Sequence, residues 1–351
     1  MKKTIILCVA IFAAFTAFAQ NTMATLNHND TVTVYYGIGA LRRAYTAAVD
    51  GDVITLSSGT FYTTNIYKAI TIRGAGMCYD SLTNTYPTIL IDSSGINTTI
   101  SVDGTPNQRL ELEGLWYTGN AFYYRYLRHG VFRKIRLNWF AKYDTHYSGQ
   151  PDYYCRNCQF VQCFFQSGCF SFMDTNSRTN TFINCAICSM ADGYYTLHNC
   201  VANVSGSMFS AYNSILFTTR GMYGYTMCSA SAYRCIGWVN GNASDEYFSA
   251  QQRAYNHTIY GNDKAGQVFR VVTPYSQSTG YSSDYDSQKF FLTDSIIAVY
   301  PGSDGTQVGI YGGAAPFNPR PDYIRIQQCT VAPRTTPDGK LNVDIEVVNE
   351  H

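Results

Sequence analysis

One phrase, written several times, decides the fold: Arg156-Asn157-Cys158-Gln159-Phe160, Ile183-Asn184-Cys185-Ala186-Ile187 and His198-Asn199-Cys200-Val201. Tyr212-Asn213-Ser214-Ile215, Tyr233-Arg234-Cys235-Ile236 and, more loosely, Tyr255-Asn256-His257-Thr258-Ile259 continue it. Positions 157, 184, 199, 213, 234 and 256 lie 27, 15, 14, 21 and 22 residues apart. A unit of about 20 residues built from short strands is the mark of a β-solenoid, whose coils bury their faces on one another. Asn tolerates the left-handed bend between two strands, and its amide can bond to the Asn one coil above. The small residue after it, Cys or Ser, then points into a narrow interior where coils lie about 4.8 Å apart. Spacings of 14 and 15 are short for a three-strand coil, which predicts that some copies sit on different sheets.

Upstream of the phrase, TVTVYY (31–36) reads as a strand. In ALRRAYTAAV (40–49), Ala40, Leu41, Ala44, Tyr45 and Ala48 fall at helical spacing. Asp50-Gly51-Asp52 ends that helix, and VITL (53–56), TFYTT (60–64) and AITI (69–72) follow as short extended pieces. Gly37-x-Gly39 before a helix suggests a dinucleotide loop, but Arg42 holds the third glycine position, so that reading is rejected. This order resembles the N-terminal part of right-handed parallel β-helix proteins of the pectate-lyase-like superfamily. The residues that carry it are Gly51, Asp52, Ile54, Leu56, Gly59, Phe61, Ile70, Ile72 and Gly74. The later coils are similar to the family's asparagine ladders, with Asn157, Asn184, Asn199 and Asn213 as rungs and Cys158, Cys185, Cys200 and Cys235 behind them. The resemblance spans roughly residues 31–300. It implies an all-β fold, a right-handed parallel β-helix with an N-terminal cap helix.

Both ends differ from the middle. Lys2 and Lys3, the apolar run Ile5 to Phe18 and Ala17-Phe18-Ala19 before Gln20 read as a signal peptide over 1–19, so the chain is expected to be exported. No later stretch is long and apolar enough for a membrane span. Residues 20–301 are assigned to the β-helix. Residues 302–351 are assigned to a C-terminal β cap: a Gly- and Pro-rich ordered loop including GIYGGAAPFNPRP (309–321), then LNVDIEV (341–347), whose strict alternation buries one face. Such a unit is expected to cover the open solenoid end, an edge that needs protection.

Composition narrows the partners. Only 14% of the 351 residues are charged, while 15% are aromatic, including 30 Tyr and 20 Phe but 3 Trp. That excludes a disordered chain, which needs few aromatics and much net charge. A formal charge of +1 argues against nucleic acid, since phosphate binding needs a dense basic footprint. Of 12 cysteines, Cys8 leaves with the leader, so the remaining odd number includes a free or intermolecular thiol. Cys155/Cys158 and Cys185/Cys188 have a zinc spacing. In a strand, however, residues three apart face opposite ways, which favours buried thiols or a few disulfides.

The family resemblance implies where chemistry would sit. The Asn-Thr-Asp, Asp-Asp, Gly-His-Gly and Arg-Ile-Lys segments of the superfamily's hydrolases are absent; Arg325-Ile326-Gln327 lacks the lysine. Six scattered His and no Gly-x-Ser-x-Gly elbow argue against a serine or cysteine hydrolase. The lyase branch uses Arg or Lys as base, often with calcium, so a polysaccharide lyase is the enzyme class kept and calcium the one cofactor kept open. The densest cation run is 125–146, with Arg125, Arg128, His129, Arg133, Lys134, Arg136, Lys142 and His146 against Asp144 alone. Lys134 and Arg136 are expected to form an outward ladder beside Tyr123, Tyr124, Tyr126 and Tyr143, with charge for carboxylates or sulfates and rings for sugar faces. A solvated basic face with tyrosines packed between coils is the competing reading. The favoured expectation is an exported protein that binds carbohydrate without evident catalysis. The alternatives are a diverged lyase acting on an acidic glycan and a structural or adhesive solenoid.

Overall fold

The computed structural model describes residues 22–92, 98–142, 154–170, 179–190, 194–204, 209–218, 231–239, 248, 250–260, 290–321, 325–331 and 343–348. The fold is all-β and solenoid-like, with strands stacked mainly in parallel. Two long ladders dominate. The first joins segments 53–55, 71–73, 111–113, 131–133, 159–161, 181–183, 196–198, 210–212 and 231–233. The second runs through 59–62, 88–91, 115–117, 135–137, 164–165, 186–187, 201–203, 215–218, 236–239 and 257–260. Shorter pairings of 99–103, 121–128, 139–142, 154–156 and 168–170 close the earlier coils on a further side.

The interior is built from in-register columns. Ile72, Leu112, Phe132, Phe160, Phe182, Leu197, Ala211 and Ala232 succeed one another down the first ladder, all buried. Phe160 stacks on Phe132 at 4.9 Å and on Phe182 at 4.6 Å between ring centroids. Parallel in-register strands set identical side chains one coil apart, close to the separation at which rings stack.

The corner between the two ladders shows why the repeated phrase exists. Gly114, Lys134, Gln162, Asn184, Asn199, Asn213 and Arg234 all have φ between 49° and 63° there. The left-handed bend is a demand of the turn, and Asn meets it at least cost among residues with a side chain. Residues 184, 199 and 213 stack directly on one another, so coils of 15 and 14 residues are complete turns. The copy that sits elsewhere is Asn157, φ 55°, on the preceding corner; Gln162 takes its place in the column. The amides do not bond rung to rung. The backbone N–H of Asn184 donates to His198 O at 2.9 Å and that of Asn199 to Tyr212 O at 3.0 Å, leaving the side chains directed outward.

Immediately after the corner, Cys163, Cys185, Cys200, Ser214 and Cys235 point inward, each fully buried. Their polar atoms satisfy backbone groups. Cys163 N–H donates to Cys185 Sγ at 3.4 Å, Cys200 N–H to Ser214 Oγ at 3.0 Å and Cys235 N–H to Asn256 Oδ1 at 2.9 Å. The thiols donate in turn, Cys185 to Phe160 O at 3.2 Å and Cys200 to Phe182 O at 3.3 Å. The position therefore selects a small side chain with an acceptor near Cβ, whether Cys, Ser or Asn. Cys78, Cys155, Cys158, Cys163, Cys185, Cys188, Cys200 and Cys235 are free thiols. Cys185 and Cys188 face opposite ways, as the strand argument requires. Cys155 and Cys158 both lie in the interior, because the corner at Asn157 turns the chain between them.

At the start, β1 (Met23–His28) pairs antiparallel with both β2 (Thr31–Tyr36) and segment 53–56. Helix α1 (Ala40–Ala47) packs on this end through Ala40, Leu41, Ala44 and Tyr45. The Tyr45 hydroxyl accepts from Tyr67 and Lys68 N–H at 2.7 and 3.0 Å, and burial pushes its pKa up to about 12.

Of the segment 302–351 expected to form a C-terminal cap, the residues up to 321 lie along the side of the coils. Residues 290–321 form a strap along the flank of the second ladder, running opposite to the order of the coils. Its contacts follow the corner column: Ser303 with Asn213, Ile310 and Gly312 with Asn184, Ala315 and Pro316 with Gln162, and Arg320 with Lys134. Strands Arg325–Val331 and Val343–Val348 make a separate antiparallel pair.

Candidate functional site

The strap closes one outer face. The outward column of the second ladder is Trp116, Arg136, Phe164, Ala186, Val201, Ile215 and Ile236. From Phe164 onward it is apolar and buried beneath Phe290, Leu292, Val308, Ile310 and Phe317. Close approach needs glycine: a Cβ on Gly309, φ 89°, would lie 2.8 Å from Ile215 Cδ1, and one on Gly313, φ 83°, 2.2 Å from Asn199 Nδ2. Asn184 Nδ2 donates to Ile310 O and Gly312 O, both at 2.8 Å.

Among the described residues, the outer face of the first ladder is partly exposed and no strap lies over it. One outward row reads Gln159, Thr181, Thr196, Ser210, Ser231, and the neighbouring row Val161, Ile183, His198, Tyr212, Tyr233. Arg234 N–H donates to Tyr255 O as Asn213 N–H does to Tyr233 O, which places Tyr255 one coil beyond Tyr233. His198 and Tyr212 stack at 5.0 Å and 11°, whereas Tyr233 and Tyr255 meet at 5.6 Å and 42°. Stacked rings show their edges, and the tilted pair uncovers part of a ring face. Tyr212, Tyr233 and Tyr255 are 37%, 40% and 55% exposed. Burial lowers the pKa of His198, which favours the neutral imidazole. The result is an uncharged strip of hydroxyls beside aromatic rings, repeated once per coil. On earlier coils the same face is charged but internally paired: Arg109 with Glu111 at 2.7 Å, Arg73 with Glu113 and Arg133 with Glu111 at 3.8 Å.

The cation run at 125–146 does not form one ladder. Lys134 is a corner residue, 1% exposed, and its Nζ donates to Arg320 O under the strap. The expected pairing of Lys134 with Arg136 on one strand face fails because the corner divides Val131–Lys142 between two ladders. Arg136 lies over the ring of Trp116 at 4.4 Å, on the second ladder. Arg133 is on the first ladder, paired as described. Tyr124 is in the core, stacked at 5.2 Å on Phe140, and is unavailable to a ligand. Tyr123 and Arg125 are half-buried on the further side. Tyr126 and Arg128 do come together there, with Tyr154 and Arg156 one coil on. Arg156 sits 4.6 Å over the Tyr154 ring, and Arg128 is neutralised by Asp103 at 2.8 Å. Burial, and then the bond to Asp103, raise the Tyr154 pKa. Tyr143, Asp144 and His146 lie outside the described residues.

The polar cluster around Asp92 is internally hydrogen-bonded. Asp92 accepts from Tyr117 OH at 2.6 Å, from Thr98 Oγ1 at 2.9 Å and from Thr63 Oγ1 at 3.2 Å, with Tyr117 fully buried. Among the described residues no three of His, Cys, Asp and Glu converge on a point where a metal ion could sit. Nor, among them, is any helix long and apolar enough to cross a membrane. The sequence reading missed the open strip, although Ser-Ala-Tyr occurs twice, at 210–212 and 231–233. Those repeats were the available signal. Compared with known proteins, the chain matches no family model, no curated protein and no solved structure.

Proposed function

We propose that this chain is an exported, right-handed parallel β-helix protein, similar in build to the pectate-lyase-like superfamily, that binds an extended polysaccharide along the open face of its first ladder. The single observation that carries the reading is the pair of in-register rows Thr181/Thr196/Ser210/Ser231 and His198/Tyr212/Tyr233/Tyr255, left open while the neighbouring face is strapped over. Hydroxyls and phenols are suited to hydrogen-bonding sugar hydroxyls, and partly opened ring faces to packing on sugar carbons. The strip is uncharged, which favours a neutral polymer over an acidic one. Right-handedness rests on the near-universal hand of parallel crossover connections, export on the leader-like segment 1–19, and the capping role of α1 on its position beside β1 and β2. Tyr126, Arg128, Tyr154 and Arg156 offer a second, smaller contact area.

The reading is non-catalytic. Of the two residues that could serve a lyase as base, Lys134 has its amine engaged by Arg320 O and Arg136 lies over the Trp116 ring. Affinity electrophoresis of the protein through gels containing neutral and acidic polysaccharides tests the proposal. Retardation by at least one neutral polymer is expected; migration unaffected by every polymer would overturn it.

A further inference from the structure

The first ladder ends on β2, a strand whose far edge has no β-sheet partner among the described residues. Asn29 and Asp30, with φ 48° and 60°, form the two-residue turn that sets His28 opposite Thr31. In an antiparallel pair the residues next to such a turn exchange hydrogen bonds, and alternate residues then direct theirs away. Thr31, Thr33 and Tyr35 thus bond toward β1, while Val32, Val34 and Tyr36 present their backbone groups at the open edge. The same three side chains lie on the outer face, 60%, 40% and 61% exposed, and Ile38 continues the patch at 42%. Natural edges are protected by charge, proline or a bulge, and segment 31–36 contains no charged residue and no proline.

The geometry points to a second copy of this chain as the occupant, paired β2 to β2 about a two-fold axis through Val34. A two-fold perpendicular to the sheet keeps each residue on its own face, so opposed residues share parity. With Val34 opposite itself, Val32 faces the partner's Tyr36, and all three edge-directed residues find hydrogen-bonding counterparts at once. The Tyr36 carbonyl already accepts from Arg43 Nη2 and keeps a second lone pair for the partner. Valine–valine and valine–tyrosine are favourable cross-strand pairs. Charge agrees with this register and sets the occupant apart from an arbitrary strand. Asp30 lies two residues before Val32, toward the partner's Arg43, while Arg43, held at Tyr36, lies toward the partner's Asp30. Opposite charges thus approach at both ends of a neutral strip.

Sedimentation velocity of the purified chain at micromolar concentration should give twice the monomer mass. Val34→Lys and Val34→Glu each place like charges on the axis and should sediment as monomers with unchanged circular dichroism. An equimolar mixture of the two sets Lys against Glu and should restore the dimer. A monomeric wild type, a Val34→Lys variant that stays dimeric, or a mixture of folded variants that stays monomeric would overturn the proposal.

Discussion

The outer faces of the first and second ladders come from the same coils, a few residues apart, yet they have opposite fates. Beyond the corner the outward column is Phe164, Ala186, Val201, Ile215, Ile236, and residues 290–321 bury it. Before the corner it is His198, Tyr212, Tyr233 with a Thr and Ser row beside it, and it stays open. In a solenoid the interior columns look alike on every side. The outward columns therefore tell which face the chain buries against itself and which it leaves exposed. An apolar column that is not covered by the same chain would be an aggregation surface.

The largest expected effect comes from breaking the closed side. Ending the chain after residue 289 uncovers Phe164, Val201, Ile215 and Ile236. At roughly 1.5–3 kcal/mol for each large apolar side chain, the loss is comparable with a total stability of about 5–15 kcal/mol. Such a chain should be insoluble or bind a hydrophobic dye, as fluorescence will report. Asn184→Ala comes next. It removes two hydrogen bonds to the strap and places Ala at φ 50°, and chemical denaturation should show a loss of about 2–4 kcal/mol. Within the core, Cys185→Ala strands the Cys163 N–H and should cost about 1–3 kcal/mol, whereas Cys185→Ser keeps an acceptor and should cost less.

A pH series sharpens the comparison with one histidine on each ladder, His198 on the first and His257 on the second. Burial lowers the folded-state pKa of His198, and burial with Arg234 does the same for His257. The unfolded chain then binds more protons over the interval below the ordinary histidine value of about 6.5. Stability from these groups is fully present above that pH and falls as the pH drops toward the folded-state values. Thermal melts should therefore show a decline on the acid side of neutrality, and His198→Gln should reduce its slope.

Much of the architecture was legible because its causes are local. Period-2 apolar runs, the left-handed preference of Asn and the helical spacing of Ala40, Leu41, Ala44 and Tyr45 act over a few residues. The strap was not, because nothing within 302–321 says which side of a rod it will cover. That information sits in Phe164, Val201, Ile215 and Ile236, more than 50 positions away from its glycines. The candidate site was misplaced for the same reason. Lys134 and Arg136 alternate as a strand would, and only the φ of 51° at Lys134 shows that a corner separates them. Gln162 and Arg234 share that conformation without the Asn that advertises it.

Whether the exposed face of the first ladder binds sugar while contributing little to the fold is decided by the double variant Tyr212→Ala/Tyr233→Ala. Its affinity for a polysaccharide that retards the wild type should fall about tenfold or more, a loss of at least roughly 1.4 kcal/mol. Its thermal midpoint should move by only a few degrees, since both rings are substantially exposed. Undiminished binding by a folded double variant would contradict the account.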